Sequence, residues 1–175
     1  MFFIESERLR LIPLPHAQLL LLQQSREKME LSMGLNPSNM LVDQIWQDEL
    51  ADAIENWCIP KTLLYPDRWI WYSIWEAVRI DTNTSVGGFG LGYPDDNGEA
   101  ITGYSIDRNE QRKGYGTEGL KRICQWGFEH PEVKVIWADT GIDNYPSQRI
   151  LTKAGFVQTG ARDEFVIFKL ARAGG

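Results

Sequence analysis

One stretch of this chain, from Glu99 to His130, leaves little freedom in what it can fold into: a strand pattern runs through a glycine-bearing hinge straight into an amphipathic helix. Glu99 to Asp107 reads as a strand. From about Thr117 to His130, Leu120, Ile123, Cys124 and Phe128 fall on one helical stripe, with Lys121, Arg122, Gln125 and Glu129 facing water, and Pro131 stops the helix. Between them Gln111, Gly114 and Gly116 stand as Q-x-x-G-x-G. Glycines there let the backbone come close to a ligand, and the N–H groups of the first helical turn, which have no partner within the helix, point outward. The helix dipole adds about half a positive charge at that end. Arg112 and Lys113 add whole charges, so the hinge suits a phosphate or pyrophosphate. On spacing alone, a plain glycine turn into a helix fits equally well. Two other nucleotide motifs drop out: GxxxxGK[ST] is absent, and no GxGxxG near an early strand is followed by an acidic residue about 20 positions on.

Any anion site must be local, because the chain as a whole repels polyanions. Its 175 residues carry 18 basic and 24 acidic side chains, a formal charge of −6, which provides no field for nucleic acid or anionic membrane. The RNEQRK run is short, mixed in charge and without an aromatic platform, so no nucleic-acid partner is expected. With 43% hydrophobic and 24% charged residues a core can form, and the length fits a single domain over 1–175. No apolar stretch follows a basic start in MFFIESERLR, and the aliphatic run Leu19 to Leu22 falls far short of the roughly 20 residues of a membrane span. Cys58 and Cys124 form neither a disulfide framework nor a CxxC motif, which fits a reducing cytoplasm. His16 and His130 are isolated, so neither a metal set nor a Ser-His-Asp triad is expected.

The remaining elements follow from periodicity. Arg8 to Leu14 predicts a short strand, His16 to Ser25 a helix, and Leu41 to Trp57 a second helix with Trp46, Leu50, Ala53, Ile54 and Trp57 on one stripe. Trp69 to Glu76 (WIWYSIWE) predicts a central strand with Trp69, Trp71, Ser73 and Trp75 on one face, followed by a strand over Val86 to Tyr93. Val133 to Thr140 predicts a strand, Asn144 to Ala154 a helix closed by Gly155, and Phe156 to Thr159 with Phe165 to Leu170 a final strand pair. The order β-α-α-β-β-β-α-β-α-β-β describes an α+β, mixed α/β sheet with helices on its faces.

At this point the residues resemble a family. IDRNEQRKGYGTEGL looks like the coenzyme A pyrophosphate loop of the GNAT (GCN5-related) N-acetyltransferases. ESERLRLIPL, GYSIDRNEQRKGYGTEGL and NYPSQRILTKAGF together are similar to the ribosomal-protein N-terminal (RimJ/RimL-like) acetyltransferase branch. The resemblance covers nearly the whole chain, least over Leu31 to Trp69, and implies a mostly antiparallel twisted sheet of about six or seven strands with a parallel pair splayed at the cofactor site. It implies that Ile106 pairs its backbone with the pantetheine arm and that the Tyr104 N–H polarises the acetyl carbonyl. Gln111, Arg112, Lys113, Gly114, Tyr115 and Gly116 would hold the pyrophosphate, Thr117 would add a hydroxyl, and Asn144 would touch the pantetheine. Acetyl-coenzyme A is then the cosubstrate, and no metal is needed.

The implied chemistry is direct transfer from the thioester to an amine in a ternary complex. The ammonium must lose a proton, the tetrahedral oxyanion needs a donor, and the departing thiolate benefits from a proton. Many members place a tyrosine for the last task seven residues after the asparagine matching Asn144; here that position is Leu151. Ser147 is the better candidate, since it shares a helical face with Ile150, Leu151 and Ala154, the alternative being a hydroxyl bonded to its own helix. Tyr145 is a second candidate, or a surface cap. For the base, Glu99 has the opposite strand parity to Tyr104 and Ile106, Glu76 is another option, and a water relay a third. Glu118 reads as a partner of the helix dipole, and Cys124 as core. The expected acceptor is a protein N-terminal α-amine, with a small amine (polyamine, amino acid or aminoglycoside) as alternative. A coenzyme A-binding regulatory module without turnover is a reading of another class. A homodimer is compatible with the resemblance.

Overall fold

The computed structural model describes residues 1–173, with residues 44–46 described by their backbone only, so Trp46, expected on a helical stripe, lies outside the described side chains. Strands β1 (Ile4–Glu5) and β2 (Leu9–Pro13) precede helices α1 (His16–Gln24), α2 (Arg26–Ser32) and α3 (Gln44–Ala53). A π turn over Ile54–Cys58 joins α3 to α4 (Ile59–Leu64), and a 3-10 stretch over Pro66–Tyr72 follows. Next come β3 (Trp75–Arg79), β4 (Thr84–Leu91) and β5 (Glu99–Ile106), then α5 (Tyr115–Phe128), β6 (Val135–Gly141) and α6 (Tyr145–Ala154). The hairpin β7 (Val157–Arg162) and β8 (Phe165–Ala171) completes the described fold.

The strands form one eight-stranded sheet in the order β1-β2-β3-β4-β5-β6-β8-β7. The sheet is thus one strand wider than expected, because Ile4 and Glu5 add an edge antiparallel to β2. Among these eight strands only the pair β5 and β6 is parallel, joined over Glu99–Ile101 and Val135–Trp137. Beyond that, residues 102–106 pair with β4 alone and residues 138–141 with β8 alone, so the sheet opens into a V.

Both faces are covered. On one, α5 presses onto β4 so closely that a Cβ at Gly119 would lie 2.3 Å from the Phe89 ring; Leu9, Leu11, Trp75, Leu120 and Ile123 complete this core. On the other, Leu14 packs with Leu19, Met29 and Cys58, and Ile12 with Leu35 and Val78.

The expected strand over Trp69 to Glu76 is corrected. Residues 66–72 are 3-10, and β3 begins at Trp75 opposite Pro13. The ladder cannot run further back: β2 ends in Pro13-Leu14-Pro15, whose prolines donate no N–H, and only Leu14 reaches across, to the Ile74 carbonyl. The four residues therefore do not share a strand face. Trp71 and Trp75 both pack on Trp126, with ring centroids 4.6 and 4.7 Å away, while the Ser73 hydroxyl donates to the Leu14 carbonyl. A second helix, α2, fills residues 26–32, a stretch with no assigned element in the sequence analysis, and is capped by the Ser25 hydroxyl accepting from the Lys28 N–H.

Candidate active site

The hinge between β5 and α5 has the geometry its glycines foretell. Gly114 (φ +90°) stands at the N-cap of α5 in the left-handed region, and no side chain caps the helix. Arg112 is also left-handed, at φ +62°, although it has a Cβ. Gln111, Arg112, Lys113 and Gly114 are exposed, whereas Tyr115 and Gly116 are buried and Thr117 half-buried, so the loop presents backbone to solvent at the positive end of a 14-residue helix. Gly116 also matters for packing: a Cβ there would meet Ile150 Cδ1 at 2.9 Å, where α5 crosses α6.

An N-terminal residue that the sequence reading did not single out holds this loop. Arg8 donates from Nη1 to the Lys113 carbonyl (3.0 Å) and from Nε to Glu118 Oε2 (2.7 Å), and its guanidinium lies 4.6 Å from the Tyr115 ring centroid. Glu118 also accepts from Ser6 Oγ and from the Arg8 N–H, each at 2.8 Å. Its role is thus larger than pairing with the helix dipole. Burial pushes its carboxyl up, but the bonds from Ser6 and Arg8 outweigh this and hold it below the usual value. The only hint in the sequence is the polar ESER run just before β2, because the partners lie more than 100 positions apart. Lys113 is partly neutralised by Glu110, 3.0 Å from its Nζ.

Next to the loop, the splayed edge of β5 turns main-chain groups away from β4. Gly92 N–H bonds to the Ile101 carbonyl and Asp107 N–H to the Val86 carbonyl. Antiparallel alternation therefore turns Ile101, Gly103 and Ser105 toward β4, and the N–H and C=O groups of Thr102, Tyr104 and Ile106 toward the V. The Ile106 carbonyl accepts Gln111 Nε2 at 3.2 Å, folding the loop back onto this edge. Close approach to β4 depends on Gly87, where a Cβ would meet the Ser105 carbonyl at 2.1 Å.

The far wall is the first turn of α6. Asn144 caps it, Oδ1 accepting the Ser147 N–H at 3.2 Å, so this side chain is engaged with the helix. Ser147 Oγ lies 2.9 Å from the Tyr104 hydroxyl, whose ring packs on Phe89. Burial pushes the Tyr104 phenol up to about 12, and the Ser147 bond offsets this only in part. Leu151 is fully buried, and Tyr145 is exposed at the first helical position. The structure thus brings Ser147, Tyr104, Ile106 and the loop together.

The two carboxylates stand elsewhere. Glu99 lies at the closed end of the V, opposite in parity to Tyr104, with both oxygens bonded to Lys169 Nζ at 2.7 and 2.9 Å. Glu76 is fully buried and held by Arg26 and the Ser85 hydroxyl. Two strands from Ser105 in register, it lies about 10 Å from it at the usual strand spacing. Arg26 is raised above its ordinary value because Glu76 and Glu30 outweigh the cost of its burial. His16 pairs with the Thr62 hydroxyl, and His130 packs edge-on against Trp71 and Trp126. Cys124 is core as expected, and burial pushes it up to about 12 and Cys58 to about 11. Among the described residues no group of three or more His, Cys, Asp or Glu is placed to hold a metal ion, and no helix is long and apolar enough to cross a membrane.

Comparison with known proteins agrees with this arrangement. The family pattern described as acetyltransferase (GNAT) domain matches residues 8–157. The chain belongs to the GNAT acetyltransferase family. Over 87 residues it is 36% identical to the uncharacterized N-acetyltransferase YjdG of Bacillus subtilis, covering 49% of this chain and 52% of that protein. The chain's match thus spans about half the length of the curated relative. The ribosomal-protein-S5-alanine acetyltransferase of Vibrio fischeri superposes with a TM-score of 0.67 at 14% identity, over 99% of this chain and 98% of that one. RimL, a ribosomal L7/L12 α-N-protein acetyltransferase solved with coenzyme A, gives a TM-score of 0.67 at 16% identity, over 97% and 98% of the two chains. These two likenesses are of fold.

Proposed function

We propose that this chain moves an acetyl group from acetyl-coenzyme A to a primary amine by direct transfer in a ternary complex, with a protein N-terminal α-amine as the leading acceptor. The observation that carries the reading is the V itself. The splayed edge of β5 at Tyr104 and Ile106 runs into an uncapped helix N-terminus behind a left-handed glycine, a seat for an extended amide-bearing arm ending in a pyrophosphate. In this reading Gln111 to Gly116 and Thr117 hold the pyrophosphate, with Arg112 and Lys113 as cations, and the Ile106 backbone pairs with the pantetheine. Asn144 acts by setting the first turn of α6. The Tyr104 N–H donates to the oxyanion as the amine nitrogen attacks the acetyl carbon, and the C–S bond breaks with its electron pair on sulfur. The ammonium gives its proton to water, since Lys169 neutralises Glu99, and Arg26 and Ser85 hold Glu76. The fold likeness to two ribosomal-protein acetyltransferases favours the α-amine acceptor.

The test is thermal melting with acetyl-coenzyme A, with NAD and ATP as controls, followed by thiol release with N-terminal peptides and with small amines. A ligand at about 100 times its Kd adds roughly 2.7 kcal/mol, a rise of about 2–8 °C. A rise with acetyl-coenzyme A alone, and thiol release with peptides above that with polyamines, amino acids or aminoglycosides, is the expected result. No rise at saturation would remove the donor site, and binding without thiol release from any amine would leave a regulatory module.

A further inference from the structure

Two reactive side chains meet in the V: the hydroxyls of Tyr104 and Ser147 lie 2.9 Å apart across the gap between β5 and α6. The Tyr104 hydroxyl is also 3.2 Å from the Ser147 carbonyl. Each hydroxyl has one proton, so the pair has two arrangements. If the phenol donates to the Ser147 carbonyl, the serine proton is used on the phenol oxygen and points away from the splayed edge. If the phenol donates to Ser147 Oγ, the serine proton is released to face the V. The hydroxyl–hydroxyl contact is the shorter of the two, 2.9 against 3.2 Å.

We infer that the Tyr104 hydroxyl is a positioning residue for thiolate departure: it donates to Ser147 Oγ and so aims the serine O–H at the sulfur. This rests on the acetyl-transfer reading above. As the C–S bond breaks, sulfur keeps the electron pair and accepts a hydrogen bond from Ser147, while Tyr104 retains its proton. No further proton carrier is required, because a thiol of ordinary acidity leaves partly as thiolate near neutral pH. Burial suits Tyr104 to this task, since a phenol held at about 12 stays a donor throughout the working range.

The test combines Tyr104→Phe, Ser147→Ala and the double variant. With acetyl-coenzyme A and an amine that is turned over, each single change should lower kcat about tenfold with acetyl-coenzyme A affinity within about twofold. The double variant should be no slower than Ser147→Ala, because the two hydroxyls act as a unit. Losses that multiply, or an unchanged kcat in Tyr104→Phe, would overturn the inference. An arm independent of both substrates follows the Cζ resonance of labelled Tyr104. Ser147→Ala should shift it, because the hydrogen bond at 2.9 Å is removed; an unmoved resonance would overturn the pairing. If no amine is turned over while Cζ responds as expected, the transfer reading has failed and the pairing stands.

Discussion

The hinge at residues 107–117 and the tryptophan-rich run at residues 66–76 had equally emphatic sequences, yet only the first folded as its local pattern dictates. In the hinge, the deciding forces act within a few residues: glycine tolerates the left-handed turn at Gly114, and the helix that follows must leave its first N–H groups free. In the run, aromatic and β-branched residues favour a strand only if a neighbouring strand is there to receive them. Pro13 and Pro15 end that neighbour, and Trp71 instead finds Trp126 and His130 across the core. Backbone chemistry is local; side-chain burial is a contract with residues far away in sequence.

The sharpest way to break this contrast is Trp71→Ala. If packing on Trp126 holds the 3-10 stretch, urea unfolding should reveal a loss of about 3–5 kcal/mol, whereas half-buried Trp69→Ala should cost about 1 kcal/mol. Equal losses would mean the segment is set by its local sequence. Gly114→Val should do the opposite in the hinge. Forcing a β-branched residue to φ +90°, with a Cβ 3.2 Å from Arg8 Nη2, should cost about 1–2 kcal/mol of stability. Acetyl-coenzyme A affinity should fall at least tenfold by calorimetry in a protein that still folds; unaltered affinity would remove the loop from the binding site.

Glu118→Gln gives the smallest effect, about 1 kcal/mol at pH 7, and tests whether the hinge is as self-sufficient as its sequence suggests. Because the folded-state carboxyl is held below its ordinary value, its contribution is present above the unfolded value near 4.5 and is lost as pH falls through the lower folded value. Wild type and variant should therefore converge in acid denaturation profiles below about pH 4.5. A gap that persists there would mean Glu118 acts by packing rather than charge.

Two side-chain orientations at the candidate site were legible in the sequence. Ser147 does face the sheet with Leu151, as helical spacing required, and Glu99 does point away from Tyr104, as strand parity required. The two-residue edge strand β1 escaped notice because so short a strand has no period to read. Arg8, Ser6 and Glu118 escaped because ion pairs between distant segments leave no pattern in either one.

By itself, then, the sequence determined the succession of strand, hinge and helix, the left-handed turn at Gly114 and the open first turn of α5, since each depends on dihedral preferences and hydrogen-bond geometry within about one helical turn. Tertiary structure alone decided that the aromatic run would curl rather than extend, that Arg8 would lock the hinge, and that a tyrosine on β5 would meet a serine on α6 43 positions later. Those outcomes depend on which groups, distant in the chain, the fold brings into contact, and no local preference encodes that.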